Sequence, residues 1–85
     1  MMQIQEIWSL TEKRIRDFFL SQNDIERKEE NCFLCGRCEI LLTSLPDREV
    51  GSFRFPQTRV VFSGPEEETA AFHHRFVLQF ISAGG

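Results

Sequence analysis

The sequence predicts an α+β domain with the order α-β-β-β-α: an N-terminal helix, a three-stranded antiparallel sheet and a C-terminal helix, both helices on one sheet face. Three observations carry that expectation. Apolar residues from Ile4 to Ile25 recur at helical spacing. The stretch from 38 to 62 is β-branched and aromatic, punctuated by Pro46, Gly51 and Pro56. A helix start, Ser63-Gly64-Pro65-Glu66-Glu67-Glu68, follows directly. The length of 85 residues allows one domain over 1–85.

The first helix is expected from about Gln3 to Leu20. Ile4, Ile7, Trp8, Thr11, Ile15, Phe18, Phe19, Gln22 and Ile25 fall within an arc of about 120°, and Glu6, Glu12, Lys13, Arg16 and Asp17 lie outside it. Asn23-Asp24-Ile25-Glu26 has the form of a capping box. Either a short helix begins there or the first continues toward Glu30. Asn31 to Cys38 reads as a cysteine-bearing loop.

Cys38 to Leu45 reads as the first strand, and Pro46-Asp47 as a turn. Glu49 to Phe55 is the second strand, with Gly51 as a bulge. Pro56-Gln57 forms the next connection, and Thr58 to Phe62 the third strand. Phe53 and Phe55 share one face, with Arg54 on the other, and the core is the expected side for the two rings.

The last helix is expected from Pro65 to about Ser82, stopped by Gly84-Gly85. The three glutamates suit the positive end of its dipole. Phe72, Phe76 and Phe80 form a ridge, flanked by Val77 and Ile81, with Leu78 further round. A helix apolar over so much of its circumference is usually covered on two sides. Nine Phe are also many for a core of this size. Phe72, Phe76, Leu78, Phe80 and Ile81 are therefore expected to face a partner chain.

The formal charge of −3 and pI of about 5.3 argue against a generally basic nucleic-acid binder. No apolar run approaches the ~20 residues of a membrane span. Residues 1–6 lack the features of a signal peptide, so the chain is expected in the cytoplasm.

Cys32-Phe33-Leu34-Cys35-Gly36-Arg37-Cys38 is the sharpest motif. Cys-x-x-Cys-Gly has the shape of half a zinc site, with Cys38 as a third ligand and His73, His74 or a partner as the fourth. Three thiols packed around a turn is the plainer alternative. A self-contained iron–sulfur cluster would lack a ligand. A redox Cys35-Gly36-Arg37-Cys38 would lack the helix N-terminus that activates such thiols. Arg37, Arg48, Arg54 and Arg59 are candidates for a patch that binds nucleic acid or an acidic ligand. No phosphate loop, nucleophile elbow or zinc-protease motif is present.

The function expected on these grounds is non-catalytic. It is a small interaction or accessory protein that forms a homodimer or joins a larger complex through its last helix, with no cofactor unless zinc is held. A zinc-stabilised binding module and an arginine-face binder of nucleic acid are the alternatives.

Overall fold

The protein is described by a computed structural model covering the backbone of residues 1–84 and the side chains of residues 1–81. Its elements are β1 (Met2–Trp8), α1 (Glu12–Leu20), β2 (Ile25–Glu29), β3 (Cys32–Cys35), β4 (Cys38–Val50), β5 (Phe53–Gly64) and α2 (Glu66–Gly84). The strands form one antiparallel sheet in the order β1-β5-β4-β3-β2. The α+β class stands, but the three-stranded sheet is corrected to five strands, and the chain opens with a strand rather than a helix.

The reason lies in Glu6. Burial alternates strictly along β1, with Ile4, Glu6 and Trp8 turned inward and Ile7 outward. Glu6 occupies an inward position because its carboxylate is satisfied there. It accepts from Trp8 Nε1 at 3.1 Å and lies 2.9 Å from His73 Nε2. An acid in the buried row masks the two-residue period, and Ile4, Ile7 and Trp8 then align with the helical stripe of α1.

Thr11 caps α1, its hydroxyl accepting from the Arg14 N–H at 3.1 Å. Two i,i+4 ion pairs, Glu12–Arg16 and Lys13–Asp17, brace the helix. The helix ends at Leu20, so neither expectation for residues 23–30 holds. That segment is β2, an edge strand in which only Ile25 is half-buried and the four charged residues after it are exposed, Arg27 lying over the Phe33 ring at 6.0 Å. Charges along an edge resist pairing with other chains, and they also make an edge strand look like a solvated helix.

The expected cysteine loop is β3 joined to β4 by a two-residue turn. Gly36 adopts φ 60° there, the first central position of a primed hairpin turn. Gly51 does the same at φ 62° between β4 and β5. The turn expected at Pro46-Asp47 is instead a bulge inside β4. Leu45 pairs with Gln57 and Arg48 with Phe55, leaving Pro46 and Asp47 opposite Pro56. Proline has no N–H to contribute, so a bulge on a ribbon is where the ladder tolerates it.

α2 begins after Pro65, with Glu66, Glu67 and Glu68 in its first turn. Its expected stop at Gly84-Gly85 falls partly on Gly85, which lies outside the described residues. Both helices pack on the same sheet face, where the core consists of Ile15, Phe19, Phe33, Ile40, Leu42, Val60, Phe62, Phe72, Phe76 and Phe80, with the thiol of Cys38. Phe76 sits at its centre. Its ring centroid lies 5.1 Å from Trp8, 5.3 Å from Phe62 and 4.9 Å from Phe80. The contacts to Trp8 and Phe62 are edge-to-face and that to Phe80 is tilted, and aromatic pairs of this kind each contribute about 0.5–1.5 kcal/mol beyond area burial.

The β4–β5 hairpin outruns everything else. β1 reaches along β5 only to Thr58, and β3 reaches along β4 only to Leu41. Beyond Leu45 and Gln57 the two strands continue alone as an arm, in which every residue from Pro46 to Phe55 is exposed. The molecule is accordingly elongated, 41 × 27 × 25 Å.

Candidate interaction surface

Strand alternation divides the sheet into two unlike faces. Thr58, Val60, Phe62 and Gly64 of β5 are all buried beneath the helices. The intervening residues Phe53, Phe55, Gln57, Arg59, Val61 and Ser63 point the other way. On β4 the outward positions are Glu39, Leu41, Thr43 and Leu45, followed past the bulge by Arg48 and Val50. No element of the described chain covers this outer face.

The outer face mixes polar and exposed apolar residues. Ile7, Leu41, Val50, Phe53 and Phe55 are 55%, 45%, 48%, 68% and 41% exposed. All five lie on it, with the half-buried Val61 and Leu34 between them. Phe53 and Phe55 stack on each other with ring centroids 6.5 Å apart and an interplanar angle of 27°. Leu41 and Val61 over the body are separated from Val50, Phe53 and Phe55 on the arm by Thr43, Arg59 and Gln57, and monomeric proteins seldom leave large apolar side chains clustered and uncovered without a use for them.

Phe53 and Phe55, expected on the core side, are instead exposed on the outer face. The signal was present in the alternation itself. Val60 and Phe62 face inward, so an unbroken strand carries residues 53 and 55 outward. Treating Pro56 as a break severed that link.

The apolar ridge of α2 divides in the same manner. Phe72, Phe76 and Phe80 are buried in a single copy of the chain, which corrects their assignment to a partner surface. Five strands and α1 supply more cover than three strands would. Only Leu78 and Ile81 of the five expected residues remain exposed.

The four arginines do not converge. Arg37 is bound to Glu68, whose carboxylate accepts from the Arg37 backbone N–H at 2.7 Å and from its Nε at 2.9 Å. Those bonds, the backbone one foremost, hold the Glu68 carboxyl below its ordinary pKa and fasten the start of α2 to the β3–β4 turn. Arg54 pairs with Glu49 at 2.9 Å on the opposite side of the arm. Arg48 and Arg59 share the outer face. Arg59 Nε is shielded from solvent and finds no acceptor among the described residues.

The cysteines separate as well. Cys35 and Cys38 are register partners across the Gly36-Arg37 turn and face inward, whereas Cys32 points to the outer face opposite Leu41. Three thiols on two sides of a sheet do not enclose one ion. Among the described residues, no three His, Cys, Asp or Glu side chains come together as a metal site. His73 is engaged with Glu6, and His74 is exposed on α2. Desolvation raises the pKa of all three thiols. At Cys38 the neighbouring Thr69 hydroxyl opposes that rise in part. All three are held as thiols, the poorly nucleophilic form.

Cys35 borders a shallow pocket of about 430 Å³, lined also by Asp24, Glu68, Phe72 and Arg75. The charges around it are spent on one another. Arg75 binds both oxygens of Asp24 at 2.8 Å, and that guanidinium, chiefly by hydrogen bonding, lowers the Asp24 pKa to about 2. The pocket offers no unpaired base beside its thiol. The pair joins the α1–β2 connection to α2, and its geometry suits a strap between elements more than an acid/base site.

No helix of the described residues is long and apolar enough to cross a membrane. No protein-family model matches the chain, and no curated protein resembles it in sequence.

Proposed function

We propose that this chain is a non-catalytic interaction protein that docks another protein on the open sheet face and the β4–β5 arm. The observation that carries this reading is the arm. Phe53, Phe55 and Val50 lie where no helix or third strand can shield them, on the same face as the exposed Leu41 and Ile7. Rigid aromatic side chains on a protruding ribbon lose little conformational freedom on binding and bring large apolar area to a contact. Leu78 and Ile81 on α2 are a smaller, separate apolar pair. Three unpaired thiols suit the reducing conditions of a cytoplasmic location, which belongs to this proposal.

The test is a photo-crosslinking comparison. The full chain carrying p-benzoylphenylalanine in place of Phe53 is irradiated in the producing cell, beside chains carrying the probe in place of Leu78 or of Lys13. Discrete adducts from position 53 and none from position 13 are expected. Adducts only from position 78 would move the interface to α2, and the arm reading would fail.

A second reading draws on Phe53 and Phe55 facing outward beside Arg48 and Arg59. Exposed aromatic rings with cationic neighbours are the means by which single-stranded nucleic acid is held. It ranks lower because Arg37 and Arg54 are neutralised by Glu68 and Glu49, and the chain is acidic overall. Salt-sensitive binding to a labelled single-stranded oligonucleotide would promote this reading. Absence of binding at low salt would remove it.

A further inference from the structure

The outer face carries a pattern that answers the question of occupant. Along it, paired positions of β4 and β5 form six rows: Glu39/Ser63, Leu41/Val61, Thr43/Arg59, Leu45/Gln57, Arg48/Phe55 and Val50/Phe53. The bulge at Pro46-Asp47 shifts the register by one residue and bends the ladder locally, and pairing resumes beyond it so that Arg48 and Val50 share the outer side with Phe55 and Phe53. A two-fold axis lying across the strands, midway between the third and fourth rows, exchanges the first row with the sixth, the second with the fifth and the third with the fourth.

That exchange is self-complementary over its four inner rows. It lays Phe55 of one copy on Val61 and Leu41 of the other, apolar on apolar. It brings Arg48 over Leu41 and within a side chain's reach of Glu39, the next outward residue along β4. Arg48 has no ion-pair partner within its own chain among the described residues, and Glu39 holds only the solvent-exposed Lys28 at 3.2 Å. The same axis sets the half-buried Arg59 guanidinium against Gln57 of the second copy. The Gln57 Nε2 already donates to the Pro46 carbonyl at 3.0 Å, which leaves the amide oxygen to accept. The axis exchanges Arg48 on the arm with Glu39 on the body, so antiparallel stacking brings this one pair of opposite charges together and parallel stacking does not, although Lys28 already stands beside Glu39.

We infer that the occupant of the open face is a second copy of this chain, packed face to face and antiparallel so that each arm lies over the body of the other. The inference rests on the reading of that face as an interface. The arrangement is isologous, with each contact made twice, as a closed dimer requires. It covers Leu41 and Phe55 apolar against apolar, sets Val50 and Phe53 at the arm tip against Glu39 and Ser63, and leaves the charged β2 edge free.

The test is sedimentation equilibrium of the purified full chain, with circular dichroism to confirm that each variant is folded. The wild-type chain should sediment as a dimer. Arg48→Glu and Glu39→Arg should each weaken self-association by about tenfold or more, because each places like charges opposite one another. Mixing the two variants in equal amounts should restore a one-to-one heterodimer. Lys13→Glu, on the exposed side of α1, should leave association unchanged. A wild-type chain that stays monomeric at millimolar concentration would overturn the inference. A dimer indifferent to both charge reversals would do so too, since its interface would lie elsewhere. The adducts from position 53 then separate the two proposals. An adduct of twice the chain's mass supports both. An adduct with a different protein overturns the second copy and leaves the arm reading standing, whereas an adduct with nucleic acid overturns both.

Discussion

On its inner face β5 presents Val60 and Phe62, fully enclosed by two helices, and one residue along on its outer face it presents Val61, Phe55 and Phe53, increasingly open toward the tip. The two faces are built from the same residue types and differ in what lies above them. Inside, Phe76 locks Trp8, Phe62 and Phe80 into one aromatic cluster. Outside, Phe53 touches mainly Phe55 and solvent. Apolar character alone therefore does not mark a core, and its absence from the solvent side is the ordinary expectation for a half-covered antiparallel sheet. The departure from that expectation is what identifies the outer face.

Substitutions that remove equal bulk from the two faces should have very unequal effects. Phe76→Ala empties the centre of the cluster and should cost about 3–5 kcal/mol. For a domain this small that is a large part of its total stability, and chemical denaturation should show it as a collapse of the midpoint. Retention of most of the wild-type stability would mean that the aromatic cluster does not organise the core.

Gly64→Ala probes the seam between sheet and α2. Its φ is 152°, and a methyl group there would stand 2.5 Å from the Arg37 carbonyl oxygen and 3.1 Å from the Cys38 Cα. Backbone cannot yield as a flexible side chain can, so a loss of about 2–3 kcal/mol is expected, read from the same denaturation curves. Gly51 at the arm tip has nothing within 4 Å, and Gly51→Ala should cost only the strain of its positive φ, about 1–2 kcal/mol.

Phe53→Ser should leave the stability of a dissociated chain within about 0.5 kcal/mol of wild type. It should nonetheless weaken association, measured by sedimentation. A large loss of monomer stability would show that the arm packs on the body, and the distinction between the two faces would fail.

The smallest effect belongs to the Asp24–Arg75 strap. The folded-state pKa of Asp24, about 2, lies below its ordinary value of 3.8. A group depressed in this way stabilises the fold above its unfolded pKa, and the contribution is lost as pH falls from about 4 through 2. The stability gap between wild type and Asp24→Asn should therefore narrow over that interval. It should be modest at neutral pH because the pair is solvent-accessible. A gap constant from pH 7 to pH 2 would refute the assignment.

Much of the β-rich middle was legible because its signals are local. The strands near Cys38–Leu45 and Thr58–Phe62 announced themselves by composition, and α2 by Pro65 and its three glutamates. β1 and β2 were hidden by single side chains whose partners are remote in sequence. Glu6 is admitted to an inward position by His73, and the charges of β2 make sense only at a sheet edge. The candidate site was less legible. Arg48 and Arg59 were singled out, but Arg37 and Arg54 already have partners, and Phe72, Phe76 and Phe80 belong to the core.

The sequence by itself determined that the chain is an α+β domain, where its second helix begins, and that Phe53 and Phe55 share one side of a strand. These properties depend on residues a few positions apart. Tertiary structure alone decided which side of the sheet is the inside. A strand has a period of two and two equivalent faces, so its pattern fixes parity but not sign. The sign was set when α1 and α2 settled on the face of Phe62 and left that of Phe55 open.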